Sequence, residues 1–125
     1  MIVQDVITHL EALAPLAYAE EFDNVGLLVG HKTTEVTGVL VTLDTLETVV
    51  DEAIENQCNL IVSFHPIIFK GLKKITGNTY VERVLIKAIE HKIAIYSIHT
   101  ALDNAFEGSN TGLCKLLGLK NKTIL

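Results

Sequence analysis

Three apolar runs in this chain each deliver a polar, metal-capable side chain just past their ends. They are Val39-Leu40-Val41-Thr42-Leu43-Asp44, Leu60-Ile61-Val62-Ser63-Phe64-His65-Pro66 and Ile93-Ala94-Ile95-Tyr96-Ser97-Ile98-His99. The third continues as Thr100-Ala101-Leu102-Asp103. Segments of helical periodicity separate the runs. The resulting alternation of strand and helix predicts an α/β fold with a mostly parallel sheet, flanking helices and right-handed crossovers. If the three strands are parallel neighbours, Asp44, His65, His99 and Asp103 emerge at one sheet edge. Open α/β folds bind ligands at that edge.

The remaining elements follow from periodicity and from helix or strand breakers. Val6, Ile7, Leu10, Leu13 and Ala14 fall at helical spacing, so a helix over 3–13 is expected, ended by Pro15. Residues 17–24 read as irregular and carry Glu20, Glu21, Asp23 and Asn24. Strands are expected over 25–30, 36–43, 60–64 and 93–98. Asp44 or Thr45 is expected to cap a helix over 46–57, with Glu47 in its first turn. His65 precedes Pro66, which pushes its backbone towards extended geometry. Gly71, Gly77 and Asn78 mark a loop. Val81, Val84, Leu85 and Ala88 form the stripe of a helix over 80–90. Residues 99–108 read as a loop. Ser109 or Asn110 is expected to cap a last helix reaching Leu117 and stopped by Gly118. A further segment begins at 120–125.

At 125 residues, 1–125 is expected to form a single α/β domain. Mean hydropathy is +0.38. Either the strands are buried on both faces, or further protein covers part of the surface. No apolar run approaches the roughly 18 residues of a membrane span, and the N-terminus lacks the pattern of a signal peptide. Net charge is -5, which disfavours nucleic-acid binding through broad phosphate attraction. The two cysteines, Cys58 and Cys114, are unpaired in spacing, read as core residues and suit a reducing cytoplasm. Lys70, Lys73 and Lys74 read as a solvated loop or as a local site for an anionic substrate.

Imidazole nitrogen and carboxylate oxygen suit divalent transition metals when no thiolate is offered. His65, His99 and Asp103 therefore make a candidate set of metal ligands. Asp44 is a fourth candidate, an outer partner to a ligand, or simply a helix cap. The bland alternatives stay open: a strand-end histidine held by hydrogen bonds, and turn chemistry at Asp103-Asn104. His9, His31 and His91 carry no site reading. Gly108-Ser109-Asn110-Thr111-Gly112 is not a nucleophile elbow, because Glu107 and Thr111 stand where that motif needs glycine.

Four motifs in order resemble the NIF-three-like family, the GTP cyclohydrolase I type 2 homologues. They are 21–30 (Glu-Phe-Asp-Asn-Val-Gly-Leu-Leu-Val-Gly), Thr42-Leu43-Asp44, Ser63 to Gly71, and His99-Thr100-Ala101-Leu102-Asp103 with Gly108 and Asn110. The resemblance implies the NIF-three-like fold, a ring-shaped homohexamer built as a trimer of dimers, and two divalent metals per subunit. Zinc, iron, manganese and nickel all remain open as the metal. It implies ligands at His65, His99 and Asp103. Phe64 stands where many members have the first His of a His-His-Pro motif. The further His and Glu that members carry near the C-terminus have no counterpart, so the chain is expected to be the N-terminal portion of a longer protein. A metal-dependent hydrolase acting on a nucleotide or phosphate-bearing small molecule is one implied function. A non-catalytic metal-binding scaffold or regulatory interaction protein is the other. The chain alone is expected to bind metal poorly and to be inactive.

Overall fold

A computed structural model describes residues 1–123. Ile124 and Leu125, the end of the segment expected at 120–125, lie outside the described residues. In chain order the elements are α1 (Val3–Leu13), a 3-10 turn (Leu16–Tyr18), β1 (Gly26–Val29), β2 (Val39–Thr42), α2 (Glu47–Glu55), β3 (Leu60–Ser63), α3 (Tyr80–Glu90), β4 (Ala94–Ser97), α4 (His99–Asp103) and α5 (Ser109–Leu116). The four strands form one sheet in the order β1-β4-β3-β2. β2, β3 and β4 are parallel, and β1 runs antiparallel along the free side of β4. The sheet is thus mixed but mostly parallel.

Side-chain alternation divides the core. Leu60, Val62, Ala94, Tyr96 and Ile98 pack on one face with Val3 and Ile7 of α1 and Ala101 of α4. Ile61, Ile93 and Ile95 pack on the other with Val50 and Ala53 of α2 and Val84, Leu85 and Ala88 of α3. β3 and β4 are buried on both faces, which accounts for their unbroken apolar runs. Each such isoleucine contributes about 1.5–3 kcal/mol of transfer free energy. The edge strand β2 is different: Val41 remains 77% exposed. Both explanations of the high hydropathy therefore find support, buried central strands and an apolar surface left open.

Several local expectations are corrected. The last helix was expected to be capped by Ser109 or Asn110, but Gly108 is its cap residue. Both side chains are engaged with Asp103 instead: Ser109 Oγ donates to its carboxylate and Asn110 Nδ2 to its carbonyl. α2 is capped by Leu46 with no side-chain bond, so neither Asp44 nor Thr45 serves as the cap. A charge-assisted bond to His65 takes the Asp44 carboxylate away. Residues 99–103, expected as loop, are helical. No glycine or proline interrupts this stretch, and burying Ala101 against the core favours the helical turn. Cys58 and Cys114 are half-buried free thiols rather than full core residues.

The segment after His65 is tied down at its far end by Glu82. Its Oε2 accepts from Thr76 N (2.8 Å), Thr76 Oγ1 (3.0 Å) and Asn78 N (3.1 Å), while Thr79 Oγ1 donates to Oε1 (3.1 Å). The backbone bond from Thr76 leads in lowering this carboxyl to about 2. Desolvation opposes it, and the bonds from Asn78 and the Thr76 and Thr79 hydroxyls add to it. Because the folded value is depressed, protonation favours the unfolded chain. The contribution is complete above the ordinary value of 4.5 and fades as pH falls towards about 2. Glu82→Gln should melt at a lower temperature than the parent at pH 7, with the gap narrowing towards pH 2. Thermal melts across that range check this; a pH-independent gap would refute it.

Candidate metal centre

The parallel ladder aligns the strand ends residue by residue. Thr42 pairs with Ser63, and Ser63 with Ser97. Asp44, His65 and His99 each lie two positions beyond these partners. The alignment continues past the strands: His65 N donates to Leu43 O and His99 N to Phe64 O, both at 3.0 Å. Two buried serines brace the turn. Ser63 Oγ donates to His65 O (3.0 Å) and Ser97 Oγ to Phe64 O (2.9 Å). The backbones carrying both histidines are therefore fixed by bonds that the sheet itself positions.

The two imidazoles meet. Their ring centroids are 5.2 Å apart with the planes inclined at 76°. Phe64 lies edge-on to both, at 5.0 and 5.3 Å. Each ring turns Nδ1 towards a carboxylate. His65 Nδ1 is 2.8 Å from Asp44 Oδ1, and His99 Nδ1 is 2.9 Å from Asp23 Oδ1. Neither Nε2 has a hydrogen-bond partner among the described residues. The two carboxylates differ: the Asp44 side chain is 52% exposed, whereas that of Asp23 is fully buried. Burial pushes the Asp23 carboxyl up, but bonds from the Thr100 hydroxyl, His99, and the backbones of Asn24 and Thr100 outweigh it and hold it below its usual range.

Asp103 closes α4, one helical turn beyond His99. Its Oδ1 accepts from Ser109 Oγ at 2.6 Å. It lines a cavity of about 320 Å³ shared with Asn110, Thr111 and Cys114. Among the described residues, no three His, Cys, Asp or Glu side chains stand together as a ready ion cage. The structure thus brings His65 and His99 together and holds Asp103 nearby in sequence but bound to Ser109. Lys70, Lys73 and Lys74 are exposed. His31 and His91 are exposed too, and His9 bonds through Nδ1 to Asp5 O.

The donor chemistry fits a divalent metal in part. A histidine that engages a carboxylate through one ring nitrogen presents the other to an ion in a fixed orientation. Two such nitrogens are available, and Asp103 offers a carboxylate of the right chemistry. Asp23 carries no site reading in the sequence, where it falls in an irregular segment and within the first family motif. Its signal is the Asp-Asn pair just ahead of β1: in an antiparallel edge strand the beginning, not the end, lies at the ligand edge.

The sequence model of the Duf34/NIF3 family (NGG1p interacting factor 3) matches residues 1–125. The chain belongs to this family. The Duf34/NIF3 relatives include a Clostridium acetobutylicum protein named GTP cyclohydrolase 1 type 2 homolog, 42% identical over 98% of this chain and 46% of its own length. Among solved structures, a hypothetical protein of Staphylococcus aureus is 45% identical with a TM-score of 0.92, covering 100% of this chain and 36% of that one. A Bacillus cereus protein related to NIF3 is 38% identical with a TM-score of 0.92, covering 99% and 34%. The chain therefore spans less than half the length of these Duf34/NIF3 relatives. The two solved structures share its α/β fold. Among the described residues no helix is long and apolar enough to cross a membrane.

Gly108 sets the spacing of α4 and α5. A Cβ there would lie 1.8 Å from Leu102 O and 2.9 Å from Ala105 O, whereas one at Gly112 would meet nothing within 4 Å. Gly108→Ala should cost on the order of 1–3 kcal/mol by overpacking. Gly112→Ala, inside α5, should be neutral or gain up to about 1 kcal/mol from helix propensity. Denaturant unfolding of both variants checks the opposite signs.

Proposed function

We propose that this chain supplies one half of a metal centre, with His65, His99 and Asp103 as ligands, in a metal-dependent hydrolase. The facing pair of carboxylate-backed imidazoles carries the proposal. In the complete protein the centre would hold two divalent ions, zinc, iron, manganese or nickel, with the remaining ligands coming from residues outside this chain. Such ions supply Lewis-acid polarisation of a carbonyl or phosphoryl oxygen and lower the pKa of water.

This chain's own residues would do the rest. His65 and His99 would hold the metal, with Asp44 and Asp23 holding the rings. Asp103, bonded to Ser109, would be the carboxylate ligand. Lys70, Lys73 and Lys74 would meet the anionic part of a nucleotide or related phosphate-bearing substrate, a class in keeping with relatives named GTP cyclohydrolase 1 type 2 homolog. A cytoplasmic homohexamer, arranged as a trimer of dimers, is part of the same proposal. The exposed apolar residues Val39, Val41 and Leu43 on and beyond β2 are in keeping with such an assembly.

The second reading is a non-catalytic metal-binding scaffold, favoured by a family description that speaks of an interacting factor. Turnover by the metal-loaded complete protein on a nucleotide and phosphoester panel separates the two. For this chain alone, reloading after demetallation should show weak binding of a single ion. His65→Ala and His99→Ala should each weaken zinc binding at least about tenfold, as loss of a ligand costs no less than loss of its supporting partner. Two tightly held ions per chain, or unchanged affinity in both variants, would reject the half-site.

A further inference from the structure

We propose that the Asp23-Asn24 dipeptide is a positioning clamp that joins the two ligand-bearing segments, with Asp23 gripping α4 and Asn24 gripping the segment after His65. The ligand role of the histidines rests on the metal-centre proposal above; the clamp stands on hydrogen bonds independent of it.

The Asp23 carboxylate meets α4 at its first turn. Oδ1 faces His99 Nδ1 at 2.9 Å, and Oδ2 accepts from Thr100 N at 3.1 Å and Thr100 Oγ1 at 2.5 Å. Oδ1 also accepts from Asn24 N at 2.8 Å. A carboxylate that accepts from this many donors has no capacity left for a misplaced ring. It accepts a hydrogen bond from His99 Nδ1–H, so Nε2 is the nitrogen without a proton. The next residue faces the other way. Asn24 Nδ2 donates to Ile68 O at 2.6 Å, three residues past His65. Ile68 belongs to the stretch that Pro66 starts and Glu82 ends.

Two further bonds tie the same segment down. Glu20 N donates to Thr100 Oγ1 at 3.0 Å, and Asn104 Nδ2 donates to Tyr18 O at 2.8 Å. The stretch ahead of β1 therefore runs along α4 and reaches the His65 segment through the Asn24 hydrogen bond. Exposed Phe22 leans on Phe69 with ring centroids 6.5 Å apart, on the same two segments. Neither residue of the dipeptide touches the putting-together of the sheet: β1 pairing starts later, at Gly26 with Ser97. Asp44 gives His65 a comparable bond, but from an exposed position with no further grip on a neighbouring segment. The clamp is thus one-sided, firm at His99 and looser at His65.

The test uses the full chain, metal-free, with nitrogen-15 NMR of the imidazoles, amide exchange and zinc titration. In the parent, His99 should be a single Nδ1–H tautomer. In Asp23→Asn the His99 ring should no longer be held in that single tautomer, since one amide oxygen must serve His99 Nδ1, Asn24 N and both Thr100 donors. Asn24→Ala should keep the His99 tautomer and speed amide exchange at residues 67–69. Zinc dissociation constants should rise about 10–100-fold in Asp23→Asn, the usual loss for a partner that orients a ligand, and less in Asp44→Asn. An Nε2–H tautomer in the parent overturns the clamp even if the variants do not fold. So does unchanged exchange in Asn24→Ala together with an unchanged tautomer in Asp23→Asn. If the parent takes up no zinc, the metal centre fails, and the tautomer and exchange measurements still decide the clamp.

Discussion

The backbone ladder joining β2, β3 and β4 is the constraint on which the candidate site depends. Parallel pairing puts three strand ends at one edge, and this register makes them level: Thr42, Ser63 and Ser97 stand side by side. Everything two residues further on is then brought to the same height. A register slip of one residue in β3 would turn its side chains to the opposite face. Leu60 and Val62 would lose α1, and His65 would lose His99. The apolar content of both faces is what prevents this, so the core on each side specifies the site as well as the stability.

Around that frame the polar groups are arranged in tiers. Ser63 and Ser97, buried at the strand ends, hold the carbonyls of His65 and Phe64. The imidazoles stand on this backbone, and carboxylates stand behind the imidazoles. Buried polar groups of this kind are tolerable only when bonded, and the hydroxyls of Ser63 and Ser97 and the Asp23 carboxylate each have their partners. Asp23 shows the balance: burial alone would favour its neutral form, yet the donors around it keep it ionised. That retained negative charge is what orients His99. Asp103, at the other end of α4, has a competing partner in Ser109. This explains why two imidazoles meet here while, among the described residues, no three-ligand cage is formed in advance.

Much of this was legible. The strand runs, the helix at 80–90 and the edge shared by His65 and His99 follow from periodicity and from the rule for parallel sheets. The helix over Tyr80–Glu90 matches its expected span because propensity, stripe and cap all agree there. Failures came where side chains had two possible partners. Asp44 looked like a cap, and Ser109 looked like a cap; each instead bonds a candidate ligand. The helical state of residues 99–103 was hidden because a five-residue helix has little propensity of its own and forms by packing Ala101.

By itself, the sequence determined the α/β class, the family motifs and the two histidines, because apolar periodicity and strand-end position are local properties. Tertiary structure alone decided the direction of β1, and with it the role of Asp23 and Asn24. Strand direction depends on which neighbour completes the sheet, a contact between Gly26 and Ser97 that no local pattern encodes. It likewise decided which of several acids stands behind which imidazole, since hydrogen-bond choice among nearby partners is settled only when the segments are packed together.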